Sequence, residues 1–157
     1  MKVNIKKLVV CIAIPLAVGA ISAFLTRGAM GTFAALEQPP LAPPAWLFPV
    51  VWTILYTLMG ISSYLISEAR ADAAEKENAL ALYFYQLVVN FLWPIFFFDF
   101  GWYLFSFFWL ALLWILVYRM TRRFFSISRP AAWLNLPYIV WLTIAAYLNF
   151  GIWWLNR

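Results

Sequence analysis

Apolar residues run through this chain in long blocks broken by short polar punctuation, and the blocks are too long to be strands. Leu8 to Leu25 is almost wholly apolar between Lys6, Lys7 and Arg27. Further apolar runs cover about 45–67, 79–98, 102–124 and 131–154. Each is close to the ~20 residues a helix needs to cross the hydrocarbon of a bilayer. The pattern predicts helices at about 8–26, 45–67, 79–98, 102–124 and 131–154, with residues 27–44 as a loop. The expected fold is therefore an all-α membrane protein, a five-transmembrane-helix bundle in a single membrane domain spanning 1–157. A basic start followed by Ala20, Ser22 and Ala23 also resembles a secretory signal, but the apolar run continues past any cleavage point. A retained first helix is the better reading. Its Ala13/Ala17 and Gly19/Ala23 pairs permit close helix packing, and Pro15 is placed to kink it.

Spacing within the blocks singles out faces. Trp46, Pro49, Trp52 or Thr53, Tyr56 and Gly60 recur every three to four residues on the second helix. That face reads either as the wall of a site for a flat ligand or as the ordinary interfacial Trp and Pro of a membrane helix. On the third helix Gln86, Asn90, Trp93 and Phe97 share a face. Amides are unfavourable in hydrocarbon without partners, so Gln86 and Asn90 either join helices or serve a ligand. On the fifth, Leu134, Tyr138, Trp141, Ala145 and Leu148 align, with Pro137 disturbing the backbone nearby. The fourth presents Phe, Trp and Leu with no interior polar group, which predicts lipid contact and packing. The loop opens with Arg27, Gly28 and Gly31 and closes on Pro39, Pro40, Leu41, Pro43 and Pro44, a length and stiffness that suit a lid. Pro44 stands where the second helix is expected to begin.

Composition closes off whole classes of function. The chain is 66% hydrophobic and 11% charged, with a mean hydropathy of +0.85, far from a soluble domain. Its +5 net charge lies in clusters between apolar runs, so it is no nucleic-acid footprint. With five spans, Lys2, Lys6, Lys7, Arg70, Lys76, Arg119, Arg122, Arg123 and Arg129 fall on one side and Arg27 and Arg157 on the other. The positive-inside rule then predicts a cytoplasmic N-terminus. Histidine is absent and Cys11 is the one cysteine, so no metal site, haem ligation or Ser-His-Asp apparatus is expected, and no cofactor is required.

Three motifs in order, QPPLAPPAWLFPVVWTILYTLMG, QLVVNFLWPIFFF and LPYIVWLTIAAYLNFGIW, resemble the TspO/MBR family, the tryptophan-rich sensory proteins related to the mitochondrial translocator protein. The resemblance runs from about Gly19 to Trp154. It implies a homodimeric bundle in the bacterial cell membrane, with a cavity capped by the first loop and a ligand such as protoporphyrin IX or another tetrapyrrole. Position by position it implies Trp46, Trp52, Tyr56, Gln86, Asn90, Trp93, Tyr138, Trp141, Ala145 and Leu148 as cavity lining; the two propionates of such a ligand would favour a cationic mouth, and Arg27 is the loop cation on that side apart from Arg157. It also leaves open light- and oxygen-dependent porphyrin breakdown with Trp52 and Trp141 as redox carriers, or facilitated transport of porphyrin- or sterol-like molecules. Three positions depart from the pattern. Leu41 stands where the family commonly has Trp, and Pro94 follows Trp93, predicting a kink. Phe150 and Trp154 replace the Tyr and basic residue of the animal sterol motif; a formal match at Leu116–Arg122 is weak.

Overall fold

The computed structural model describes residues 3–157, so Lys2 of the charge count lies outside them. Five helical stretches are long and apolar enough to cross a membrane. They comprise α1 (Ile5–Thr26), α3 (Leu47–Glu68), α4 (Ala73–Pro94) with a π-helical continuation at Ile95–Asp99, α5 (Tyr103–Ile127), and α6 (Arg129–Trp133) followed by α7 (Leu136–Leu155). A 3-10 turn at Arg27–Ala29 and the short α2 (Met30–Ala34) continue α1 into the predicted loop, so only the part after Ala34 is irregular.

Local chemistry explains where these elements depart from the sequence expectation. α4 starts at Ala73, six residues before the apolar run, because the Asp72 side chain accepts from the N–H groups of Ala74 (3.0 Å) and Glu75 (3.3 Å). That cap nucleates a polar first turn ahead of the apolar run. Asp72→Ala should lower stability by about 1 kcal/mol, read as a small drop in the thermal unfolding midpoint in detergent, while Asp72→Asn should leave it nearly unchanged. The predicted fifth helix is two helices with a turn at Leu134–Asn135, and Pro137 opens α7 rather than disturbing its middle. At Pro94 the α-helix passes into the π segment, so the regular hydrogen-bond ladder is interrupted where the proline stands. Pro44 precedes α3 by three residues, and Pro49 occupies the helix's first turn, where a missing N–H leaves nothing unsatisfied.

Around the bundle the backbones meet in the order α3, α1, α4, α5, α7. α1 and α3 come closest: a Cβ built on Gly60 would collide with the backbone of Cys11 and Ile12, and one on Gly19 with the Tyr56 ring. The remaining seam, between α3 and α7, closes differently. Aromatic side chains bridge it, Phe48 edge-on to Trp141 at 5.6 Å and Trp52 edge-on to Tyr138 at 6.2 Å.

Candidate functional site

Four of the residues singled out by spacing form one hydrogen-bonded chain across three helices. The Tyr56 hydroxyl of α3 donates to Asn90 Oδ1 of α4 at 2.7 Å. Asn90 Nδ2 donates to the Tyr138 hydroxyl of α7 at 2.7 Å, and that hydroxyl donates onward to Gln86 Oε1 at 2.9 Å. Gln86 Nε2 ends the chain against Met59 Sδ at 3.8 Å. All four polar residues are buried. Each amide placed by α4 one turn apart thus finds partners on neighbouring helices.

Trp52 covers this array on the α3 side. Its ring stacks on Tyr56 at 5.4 Å with a 28° interplanar angle and remains half-buried. Across the seam Trp141 is 7% exposed, and its buried indole N–H has no partner. Beside it an apolar groove of about 460 Å³ opens outward, walled by Val51, Leu55, Val140 and Ile144. Ala145 and Leu148 continue the buried face of α7 toward the loop.

Trp93 belongs to a neighbouring layer. Its indole N–H donates to Asn149 Oδ1 at 3.0 Å, and Asn149 Nδ2 donates to the Tyr103 carbonyl at 2.7 Å. The ring stacks on Phe97 of the π segment at 5.0 Å. Asn149 escaped the sequence reading although the signal that found Asn90, an amide inside an apolar run, applied to it equally. Trp46 is not brought into the array. It stands at the head of α3 with a helical backbone but is 66% exposed there, beyond the buried part of that face. The fourth predicted helix also has polar contacts that its composition concealed: the Trp109 indole donates to the Val89 carbonyl at 2.8 Å and Trp114 to Thr143 at 3.0 Å.

The proline loop lies over the C-terminal end of α7. Pro39 is buried against Gly151, Tyr147 donates its hydroxyl proton to the Pro40 carbonyl at 2.7 Å, and Glu37 and Asn156 exchange hydrogen bonds of 2.9 and 3.0 Å. Leu41 turns outward at φ 63°, 94% exposed, while Pro40 and Pro44 are exposed and Pro43 half-buried. Arg27 does not reach the array; its guanidinium lies 3.9 Å over the Phe24 ring. Phe150 and Trp154, at the positions of the sterol motif, stack on each other at 6.2 Å and are exposed on the outer face. Among the described residues every buried polar side chain is neutral.

The model of the TspO/MBR family matches residues 11–155. Over 157 residues the chain is 36% identical to the tryptophan-rich protein TspO of Chlorobaculum tepidum, covering 99% of both proteins. It is 36% identical to protein CrtK of Rhodobacter capsulatus, over 88% of this chain and 85% of that one. Against the translocator protein of Ovis aries identity is 37%, over 80% and 75% respectively.

Proposed function

The chain belongs to the TspO/MBR family, an integral membrane protein among its sensory and translocator proteins, and we propose that it is a receptor for a tetrapyrrole, taken up at the α3–α7 seam. One observation carries this reading: along α7 the seam is closed by rings, with Trp52 on one lip and Trp141 on the other, and direct packing on α3 is left to α6 at its end. Rings in edge-on contact part by rotation of side chains, whereas the α1–α3 backbones cannot. A flat macrocycle entering there stacks on Trp52, gains offset aromatic contact worth roughly 0.5–1.5 kcal/mol per ring beyond area burial, and offers an acceptor to the unpartnered Trp141 N–H. Desolvated without a partner, that N–H is unfavourable by about 1–3 kcal/mol, so a ligand acceptor there gains more than an ordinary hydrogen bond. The Tyr56–Asn90–Tyr138–Gln86 chain fixes the wall behind Trp52. The proline loop, held by a few exposed hydrogen bonds, serves as the cap.

Protoporphyrin IX titrated into the protein in detergent, followed by tryptophan quenching, tests the site. Saturable binding is expected in the wild type, weakened about tenfold or more in the Trp52→Phe, Trp141→Phe double variant, since smaller stacking faces and the loss of one buried donor together remove about 1.5–3 kcal/mol. Unsaturable quenching, or equal affinity in the variant, would show partitioning or a different site. Illuminating the same complexes in air distinguishes binding from breakdown: new product spectra that depend on the two indoles would make them redox carriers. The charge asymmetry supports an N-terminus on the cytoplasmic side of the bacterial cell membrane, to be checked by thiol-labelling of single cysteines in the loop and in the 69–72 link.

A further inference from the structure

We propose that the groove between α4 and α5, at the end of the bundle that carries the N-terminus, is a binding site for a phospholipid with an anionic headgroup. The groove has a volume of about 580 Å³, and Arg119, Arg122 and Arg123 line it together with Leu82, Tyr85 and Tyr118. This is within the roughly 300–1,000 Å³ of small-molecule sites. It lies away from the aromatic array and does not depend on the tetrapyrrole reading.

Helical spacing brings the three guanidinium groups together, since positions i, i+3 and i+4 share a face. They are unneutralised. The single ion pair among the described residues joins Lys7 to Glu68 elsewhere. Of the other acids at this end, Asp72 is occupied in capping α4, and Glu75 and Glu77 are exposed and do not line the groove. Guanidinium forks match phosphate oxygens two at a time.

The walls choose between a lipid and a soluble anion. Next to the arginines stand the rings of Tyr85 and Tyr118, and Tyr118 is held flat by stacking on Trp114 at 5.5 Å and 8°. One turn from Tyr85, on the side of the arginines, the wall is Leu82. Arginines at the end of the span, Leu82 level with them and the rings of Tyr85 and Tyr118 deeper along the same groove set a phosphate site against apolar and aromatic surface that the upper part of an acyl chain can lie along. A free phosphate would use the arginines and leave the wall idle. A sterol would use the wall and leave the arginines unpaired.

The test is native mass spectrometry of the full chain released from detergent, with phosphatidylglycerol and phosphatidylcholine of identical acyl chains in competition. Preferential retention of phosphatidylglycerol is expected. The preference should fall by about tenfold or more in the R119Q/R122Q/R123Q variant, since each cation near a membrane surface contributes about a factor of five to anionic-lipid binding. It should fall similarly in Leu82→Trp, which fills the groove and keeps every charge. Arg129→Gln, a cation at the same end but outside the groove, should retain it. Retained preference in either groove variant would overturn the proposal, as would an equal loss in Arg129→Gln, which would reduce the effect to general surface charge. So would displacement of the lipid by inorganic phosphate at matched concentration. A monomer–dimer shift in Leu82→Trp with lipid binding intact would make the groove an interface between copies instead.

Discussion

Gly60→Leu is expected to abolish the native packing of α1, with a thermal midpoint in detergent lower by roughly 10 °C or more and most of the protein lost on purification. A Cβ at Gly60 meets the backbone of Cys11 and Ile12, not the flexible end of a side chain. Backbone in the middle of a continuous helix cannot step aside by rotation about a side-chain bond, so the whole of α1 must move. Overpacking of this kind is destabilising by about 1–3 kcal/mol when neighbours yield, and the upper end or beyond applies where they do not. In a chain of this length each kcal/mol corresponds to about 2–4 °C. Gly60→Ala should show a smaller loss of the same sign, although alanine is the better helix former. Gly28→Ala and Gly31→Ala, which meet nothing within 4 Å, should be neutral or slightly stabilising. Equal behaviour of Gly60→Ala and Gly31→Ala in a thermal melt would show that α1 and α3 do not depend on this contact.

Such a close approach was legible only in part. The block pattern placed all five spans because a bilayer imposes a length on each apolar run, and the small-residue spacing of α1 pointed to close packing without naming its partner. The sequence reading located Gln86, Asn90, Tyr56 and Tyr138 by helical period, and the structure joins them in one chain. Period alone left open whether each amide would meet a helix or a ligand, since both satisfy the same need for a partner in hydrocarbon. The misses have physical causes of their own. Trp46 fits the period but stands at the exposed head of α3, beyond the buried array. α4 reaches back to Ala73 because a local cap, not hydropathy, sets its start. The break between α6 and α7 follows a cluster in which Asn135 Nδ2 donates to Ser62 Oγ (2.7 Å) and to the Ala131 carbonyl (2.9 Å). A run that is apolar on average hides such a turn.

Asn90→Leu is the second large expected effect, because one side chain holds both neighbours of the array in place. In the native protein Asn90 accepts from Tyr56 and donates to Tyr138, each at 2.7 Å, and is itself 3% exposed. Leucine fills nearly the same volume and leaves the Tyr56 hydroxyl a buried donor without an acceptor, while Tyr138 keeps its bond to Gln86. The expected loss is about 1–3 kcal/mol for the orphaned donor, moderated by the weaker average of about 0.6 kcal/mol measured per interhelical hydrogen bond in membranes. A double-variant cycle separates the two contributions. If the orphaned phenol dominates, Asn90→Leu combined with Tyr56→Phe should be more stable than the sum of the single changes by about 1 kcal/mol, since both ends of the bond then leave together. If the changes simply add, the Tyr56–Asn90 bond contributes no coupling and Asn90 acts through packing alone. The same variants bear on function. Trp52 rests on the Tyr56 ring, so a Tyr56 released from Asn90 loosens the surface against which a macrocycle would stack. Porphyrin affinity should therefore fall in Asn90→Leu even though the residue need not touch the ligand. It should recover in part when Tyr56→Phe removes the unsatisfied hydroxyl and lets the ring settle. An affinity that ignores both changes would place the ligand away from the α3–α7 seam while leaving the stability argument intact.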